Sequence, residues 1–148
     1  MIKVLFVCVH NAARSQMAEA FLNQLGQGDF SAESAGLEPA PLNPLVVKAM
    51  AEIDYDISKN ETDSVFDFYK KGHKYNIIVK VCDMESGQKC PIFPLTFKVL
   101  DWNLPDPSAF EGSEEEKLNQ VRLLRDEIKG LVEDFISGYK DIDNNSAD

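Results

Sequence analysis

A chain of 148 residues has the size of one domain and can bury roughly 68–70% of its unfolded surface, so it needs no metal or disulfide staple to fold. Its composition, 44% hydrophobic and 27% charged, is that of an ordinary soluble globular protein. A net charge of −10 argues against general binding to nucleic acid or anionic membrane, which rely on Lys/Arg footprints, but leaves room for a small anion in a local positive pocket.

The apolar, β-branched run from Val4 to Val9 reads as a buried parallel strand. It is too short for a secretory signal, and no stretch approaches the roughly 20 apolar residues of a membrane span. A cytoplasmic protein is therefore expected; a monomer is expected as well, although nothing in the residues determines the oligomeric state. From Arg14 the pattern turns helical, with Met17, Phe21 and Leu25 four residues apart and Gly26 and Gly28 closing the helix. Phe30 to Ala35 reads as a second strand ending at Gly36. Asn43-Pro44 is an N-cap with proline at the first helical position, opening a helix to about Ile53.

A short helix is expected over Ser64 to Tyr69, a third strand around Ile77-Ile78-Val79 and a fourth over Thr96 to Leu100. Ser113 to Glu116 forms a capping box. It opens a long helix with Leu118, Val121, Leu124, Ile128, Leu131 and Phe135 on one face. Alternating strands and helices predict one α/β domain over residues 1–139, a three-layer fold with a four-stranded parallel sheet flanked by helices. Residues 140–148 are polar and predicted to form a frayed tail.

Three cysteines, Cys8, Cys82 and Cys90, are an odd count without zinc-ribbon spacing, so reactive thiols are a better reading than structural disulfides. The informative segment is Cys8-Val9-His10-Asn11-Ala12-Ala13-Arg14-Ser15. A Cys-x5-Arg pattern alone arises often by chance. Here the cysteine ends a buried strand and the arginine begins a helix, which puts the loop at the carboxyl edge of the sheet, where open α/β folds bind ligands. The N–H groups of Val9, His10, Asn11, Ala12, Ala13 and Arg14 can wrap an anion, helped by the helix N-terminus. The Arg14 guanidinium matches two oxygens of a tetrahedral oxyanion. The same field favours the thiolate that a nucleophilic Cys8 needs, and Ser15 can donate a hydrogen bond to it. Asn11 tolerates the unusual backbone angles such a loop requires.

This Cys-x5-Arg-Ser loop directly after the first strand resembles the phosphate loop of low-molecular-weight tyrosine phosphatases. The continuation Arg14-Ser15-Gln16-Met17-Ala18-Glu19 is similar to the thioredoxin-coupled arsenate reductases that share that fold; phosphatases usually carry Pro in place of Gln16. Ser34-Ala35-Gly36-Leu37, Leu42-Asn43-Pro44, Asp56-Ile57-Ser58, Thr62-Asp63-Ser64 and Cys90-Pro91 extend the likeness over nearly the whole chain. Two positions depart from it. His10 stands where relatives commonly have Gly, and either adds positive charge near the anion or points to solvent. Ala13 stands where many relatives have a second loop cysteine.

The resemblance implies a function and further site residues. Cys8 would attack arsenate, Cys82 would attack the Cys8 sulfur to release arsenite, and Cys90 would then take up Cys82 in a disulfide passed to thioredoxin. The segment from about Cys82 to Pro94 would have to move for this exchange. Asp106, in Pro105-Asp106-Pro107, would face the loop and protonate the leaving oxygen; without the resemblance, an aspartate beside proline is a turn former. No cofactor is required. Some relatives hold a potassium ion, and Asn11, Glu19, Ser34, Thr62 and Asp63 match its oxygen donors, although caps and turns explain these residues equally well. The alternative is phosphomonoester hydrolysis, phosphotyrosine included, through a Cys8 phosphocysteine, with Cys82 and Cys90 incidental.

Overall fold

The computed structural model describes residues 1–81 and 91–146, with side chains described as far as Tyr139. In chain order the elements are β1 (Ile2–Cys8), α1 (Arg14–Leu25), β2 (Phe30–Gly36), α2 (Pro44–Ala51), α3 (Val65–Lys70), β3 (Ile77–Lys80), β4 (Lys98–Asp101), a 3-10 turn (Pro107–Ala109) and α4 (Glu114–Ser146). The strands form one parallel sheet in the order β2-β1-β3-β4. The chain runs outward from β1 to β2 and then crosses back to the far side of β1. The carboxyl ends of β1 and β3 therefore flank a topological switch point, where such sheets open a crevice.

Successive β1 residues face opposite sides of the sheet. Val4, Phe6 and Cys8 join Ile77 and Val79 in the larger core, under Met17, Phe21 and Leu22 of α1, Val46, Ala49 and Met50 of α2 and Val121, Leu124 and Ile128 of α4. Leu5 and Val7 face the smaller core with Ala35, Ile78, Val65, Tyr75 and Phe93. This is the three-layer α/β arrangement with its helices divided unequally between the two faces.

The caps behave as their residue types dictate. Asn43 accepts from Leu45 N–H at 3.0 Å ahead of Pro44, and Ser113 and Glu116 exchange bonds at the start of α4. Three local readings differ from the structure. The segment from 140, predicted as a frayed tail, continues α4 to Ser146, because neither Pro nor Gly interrupts it and a polar helix can end in solvent. The deepest row of α4 passes through Val132 and Ile136 rather than Leu131 and Phe135, which are only partly buried. Arg125, which reads as a solvated helix-face charge, is 8% exposed and donates through Nη1 to the Ala49 carbonyl at 2.8 Å.

Candidate active site

β1 ends at Cys8 and α1 begins at Arg14, so residues 9–13 cross the carboxyl edge of the sheet. The neighbouring segment after β2 binds the carbonyls of this loop. Leu37 N–H donates to Cys8 O at 3.1 Å, Glu38 N–H to Val9 O at 2.7 Å, Ala40 N–H to His10 O at 3.0 Å and Asn43 N–H to Ala12 O at 3.0 Å. With the carbonyls engaged on that side, the loop's N–H groups are left for its concave side. Asn11, at φ 53°, directs its N–H to Cys8 Sγ at 3.0 Å. The two segments lie so close that a Cβ on Gly36 would sit 2.8 Å from both Asn11 N and Val9 O; only glycine fits there.

Cys8 is 2% exposed, and its Sγ lies 3.0 Å from Ser15 Oγ. The Ser15 hydroxyl also donates to Asn11 Oδ1 at 2.8 Å. A hydroxyl has one proton, so Ser15 accepts from the Cys8 thiol in this arrangement and must turn to donate once the thiolate forms. No side chain caps α1, which leaves its first N–H groups to a ligand.

Arg14 reaches over the same loop and is 6% exposed. Its Nη1 donates to the Leu104 carbonyl at 3.0 Å, and its Nη2 stands 3.9 Å from Asp106 Oδ2. Its Nε is buried with no hydrogen-bond partner among the described residues. A buried donor of a charged group carries a desolvation penalty that only an acceptor relieves. An oxyanion on the loop would supply one.

Asp106 sits across the opening, capping the 3-10 turn: its Oδ1 accepts from Ser108 N–H at 2.9 Å and Ser108 Oγ at 2.8 Å. Partial burial pushes its carboxyl up, but the two Ser108 bonds with the charges of Arg14 and His10 outweigh that and hold it below the usual carboxylate range. It is ionised in the free site. His10 is exposed, and its Nδ1 lies 2.9 Å from the Glu38 carbonyl. A carbonyl only accepts, so Nδ1 carries a proton in this contact.

The structure therefore brings Cys8, Val9, His10, Asn11, Ala12, Ala13, Arg14, Ser15 and Asp106 to one opening. Cys82 and Cys90 lie outside the described residues. Of the residues matching a potassium set, Glu19, Ser34 and Asp63 line a polar cleft of about 220 Å³ with Gln16, Asn60 and Glu61. Asn11 is not among the lining residues; its Nδ2 donates to the Ser34 carbonyl at 3.4 Å, and its Oδ1 is taken by Ser15. Thr62 is not among the lining residues. Burial pushes the Glu19 carboxyl up to about 7, the Ser34 hydroxyl opposing and Glu33 and Asp63 adding to the rise. Asp63 is raised as well, by burial and then by Glu61.

Sequence reading gave Gln16 no structural role. It is 1% exposed, and its Nε2 donates to the Asn11 carbonyl at 3.2 Å and the Glu61 carbonyl at 3.0 Å. Its Oε1 accepts from Asn60 at 3.0 Å. It thus ties the thiol loop to the segment before α3. A polar residue in the buried first turn of an apolar helix was the available signal. The Leu104 and Glu38 backbone contacts left no trace in the residue types.

Residues 3–146 match the sequence profile of the low molecular weight phosphotyrosine protein phosphatases. The chain is 36% identical over 132 residues to an arsenate reductase of Bacillus subtilis (strain 168), covering 89% of this chain and 93% of that one. It superposes on a solved arsenate reductase in its phosphate-binding state with a TM-score of 0.76, at 31% identity, covering 93% and 98% of the two chains. A thioredoxin-dependent arsenate reductase of Corynebacterium glutamicum aligns with a TM-score of 0.70 at 28% identity, over 95% of this chain and 62% of that one.

Proposed function

The chain belongs to the low molecular weight phosphotyrosine protein phosphatase family, and on that premise we propose that it is an arsenate reductase that draws its electrons from thioredoxin. The observation that carries oxyanion chemistry is the buried, unpartnered Nε of Arg14 over the Cys8 loop. Reduction rather than hydrolysis is supported by Cys82 and Cys90 in the sequence and by the arsenate reductases among the relatives.

Arsenate enters with its oxygens on the loop N–H groups and the Arg14 fork. Its negative charge beside Asp106 favours the protonated carboxyl, so Asp106 can take a proton from the incoming oxyanion and return it to the leaving oxygen. The Cys8 thiolate attacks arsenic; an S–As bond forms, an As–O bond breaks and the oxygen departs as water. Cys82 then attacks Cys8 Sγ. An S–S bond forms, the S–As bond breaks and its electron pair stays on arsenic, taking As(V) to As(III). Cys90 attacks Cys82 and frees Cys8 as thiolate, and the dithiol of thioredoxin reduces the Cys82–Cys90 disulfide.

Glu19, Ser34 and Asp63 would hold a potassium ion. Two carboxyls raised by burial and by their acidic neighbours fit a monovalent cation, which would lower their mutual repulsion and steady the Gln16 tie to the loop. No described helix is long and apolar enough to cross a membrane; we place the enzyme in the cytoplasm, acting as a monomer, where its three thiols stay reduced.

Arsenate-dependent NADPH oxidation with thioredoxin and thioredoxin reductase tests this. Wild-type turnover, lost in Cys82→Ser, is expected. No arsenate turnover, together with aryl phosphate hydrolysis that survives Cys82→Ser, would make the protein a phosphatase.

A further inference from the structure

Every carbonyl from Cys8 to Ala13 has a donor. Backbone N–H groups of Leu37, Glu38, Ala40 and Asn43 hold those of Cys8, Val9, His10 and Ala12, and Met17 N–H holds that of Ala13 at 3.0 Å. The Asn11 carbonyl differs. Among the described residues it is held by a side chain, through Gln16 Nε2 at 3.2 Å.

A trans peptide points its C=O and N–H in opposite directions, and no described peptide is cis. Fixing a carbonyl therefore aims the N–H that follows it. The preceding peptide shows the result: His10 O is held by Ala40 N–H at 3.0 Å, and Asn11 N–H is delivered to Cys8 Sγ at 3.0 Å. By the same geometry, Gln16 turns the Ala12 N–H away from itself and from the acidic cleft it lines. That N–H meets no acceptor among the described residues.

Gln16 is itself fixed. It is 1% exposed, its second Nε2 proton goes to the Glu61 carbonyl at 3.0 Å, and its Oε1 accepts from Asn60 at 3.0 Å. Both carbonyls only accept, so the amide cannot turn over without setting oxygen against oxygen. Asn11 sits at φ 53°, a strained conformation for a residue other than glycine, which persists only where its surroundings enforce it. Without the Gln16 donor the peptide between Asn11 and Ala12 is free to turn over. It would then offer a carbonyl oxygen to the anion in place of an N–H.

We infer that Gln16 is a positioning residue for the oxyanion: its bond to the Asn11 carbonyl holds the Ala12 N–H toward the anion, which Gln16 itself does not touch. The inference rests on the oxyanion reading of the loop. A hydrogen bond to a charged ligand, lost here, is worth about tenfold or more in affinity.

The test compares the reduced full chain with Gln16→Met, which keeps the side chain's length and removes its donors. Inorganic phosphate binding is measured by calorimetry, and the loop amides by nitrogen–proton spectra with and without phosphate. Gln16→Met should bind phosphate about tenfold or more weakly. The downfield shift of the Ala12 amide proton on adding phosphate should be lost, while that of Val9, whose peptide is held by Leu37, remains. The amide–Hα coupling of Ala12, which reads its φ, should change without any ligand. Val132→Ala, fully buried in α4, lowers stability outside the loop and should leave all three readouts at wild-type values. If Gln16→Met does not fold, Gln16→Asn, whose amide stops a methylene short, takes its place. Phosphate affinity within about threefold of wild type would overturn the inference, as would a loss that Val132→Ala reproduces. A wild type that binds no phosphate would overturn the oxyanion reading instead, and an unchanged Ala12 coupling would then overturn the role of Gln16 separately.

Discussion

Arg14 combines roles that a lysine could not. Its Nη1 is tied to the Leu104 carbonyl, its Nη2 lies near Asp106 and its Nε remains for a ligand; a planar fork offers donors in several fixed directions, an ammonium a single point charge. Arg14→Lys is therefore expected to keep the fold and lose about a hundredfold in kcat/KM for arsenate, measured in the coupled assay, with an unchanged melting temperature showing that the loss is local. Asp106 can return a proton only after it has received one, because Ser108, Arg14 and His10 keep it ionised in the free site. Asp106→Asn should lower kcat by about a hundredfold and leave phosphate binding intact. Equal falls in binding and kcat would assign Asp106 to holding the anion.

At the scale of elements, α1 unites two sites: Arg14 and Ser15 serve the oxyanion opening, while Gln16 and Glu19 face the acidic cleft. Glu19 is raised from 4.5 to about 7, so the folded state binds its proton more tightly than the unfolded chain does. Stability should then fall as pH rises from about 4.5 to about 7 and stay lowered above it. Glu19→Gln should remove this decline and raise stability at pH 8 by about 1 kcal/mol, the screening of a partly exposed group considered. Chemical denaturation across pH would read it, and added potassium should flatten the wild-type curve alone. In α4, a Cβ at Gly130 would meet nothing within 4 Å. Gly130→Ala should add about 0.5–1 kcal/mol through helix propensity, seen as a higher melting temperature with activity unchanged.

Over the whole molecule, the sheet separates a thick core from a thin one, and β1 contributes to both. Phe6 lies against Trp102 at 5.7 Å between centroids in the core that α1, α2 and α4 close. Leu5 lies opposite, in the cluster around Tyr75 and Phe93. Both are fully buried, so Phe6→Ala should cost about 3–5 kcal/mol and Leu5→Ala about 2–5, by urea denaturation. The thin side leaves Ile92 89% and Val99 51% exposed beside Ile78, an apolar margin at the β4 edge of the sheet, while Phe97, 63% exposed, lies toward Phe135 and Tyr139 of α4. His73, whose setting reads as a solvated basic turn, is part of that side: it stacks on Phe68 at 4.6 Å between centroids and lies 3.1 Å from the Tyr75 hydroxyl.

The sequence by itself determined what depends on local pattern. The apolar run of β1, the four-residue spacing of α1, the Asn43-Pro44 start of α2 and the Ser113–Glu116 box are short-range signals, and strand-helix alternation leads from them to a parallel sheet. The Cys8 to Ser15 spacing likewise placed thiol, loop and arginine at a strand end. What only the tertiary structure decided depends on groups distant in the chain. The Leu104 carbonyl meets Arg14 across 90 residues and the Ala49 carbonyl meets Arg125 across 76. Gln16 meets Glu61, and Glu38 fixes the His10 ring. Three of these four contacts end on a backbone carbonyl beyond α1 or α4, and the fourth is His10 on another. Every residue has a carbonyl, so no residue type announces which one a side chain will find; packing of the sheet and helices selects it.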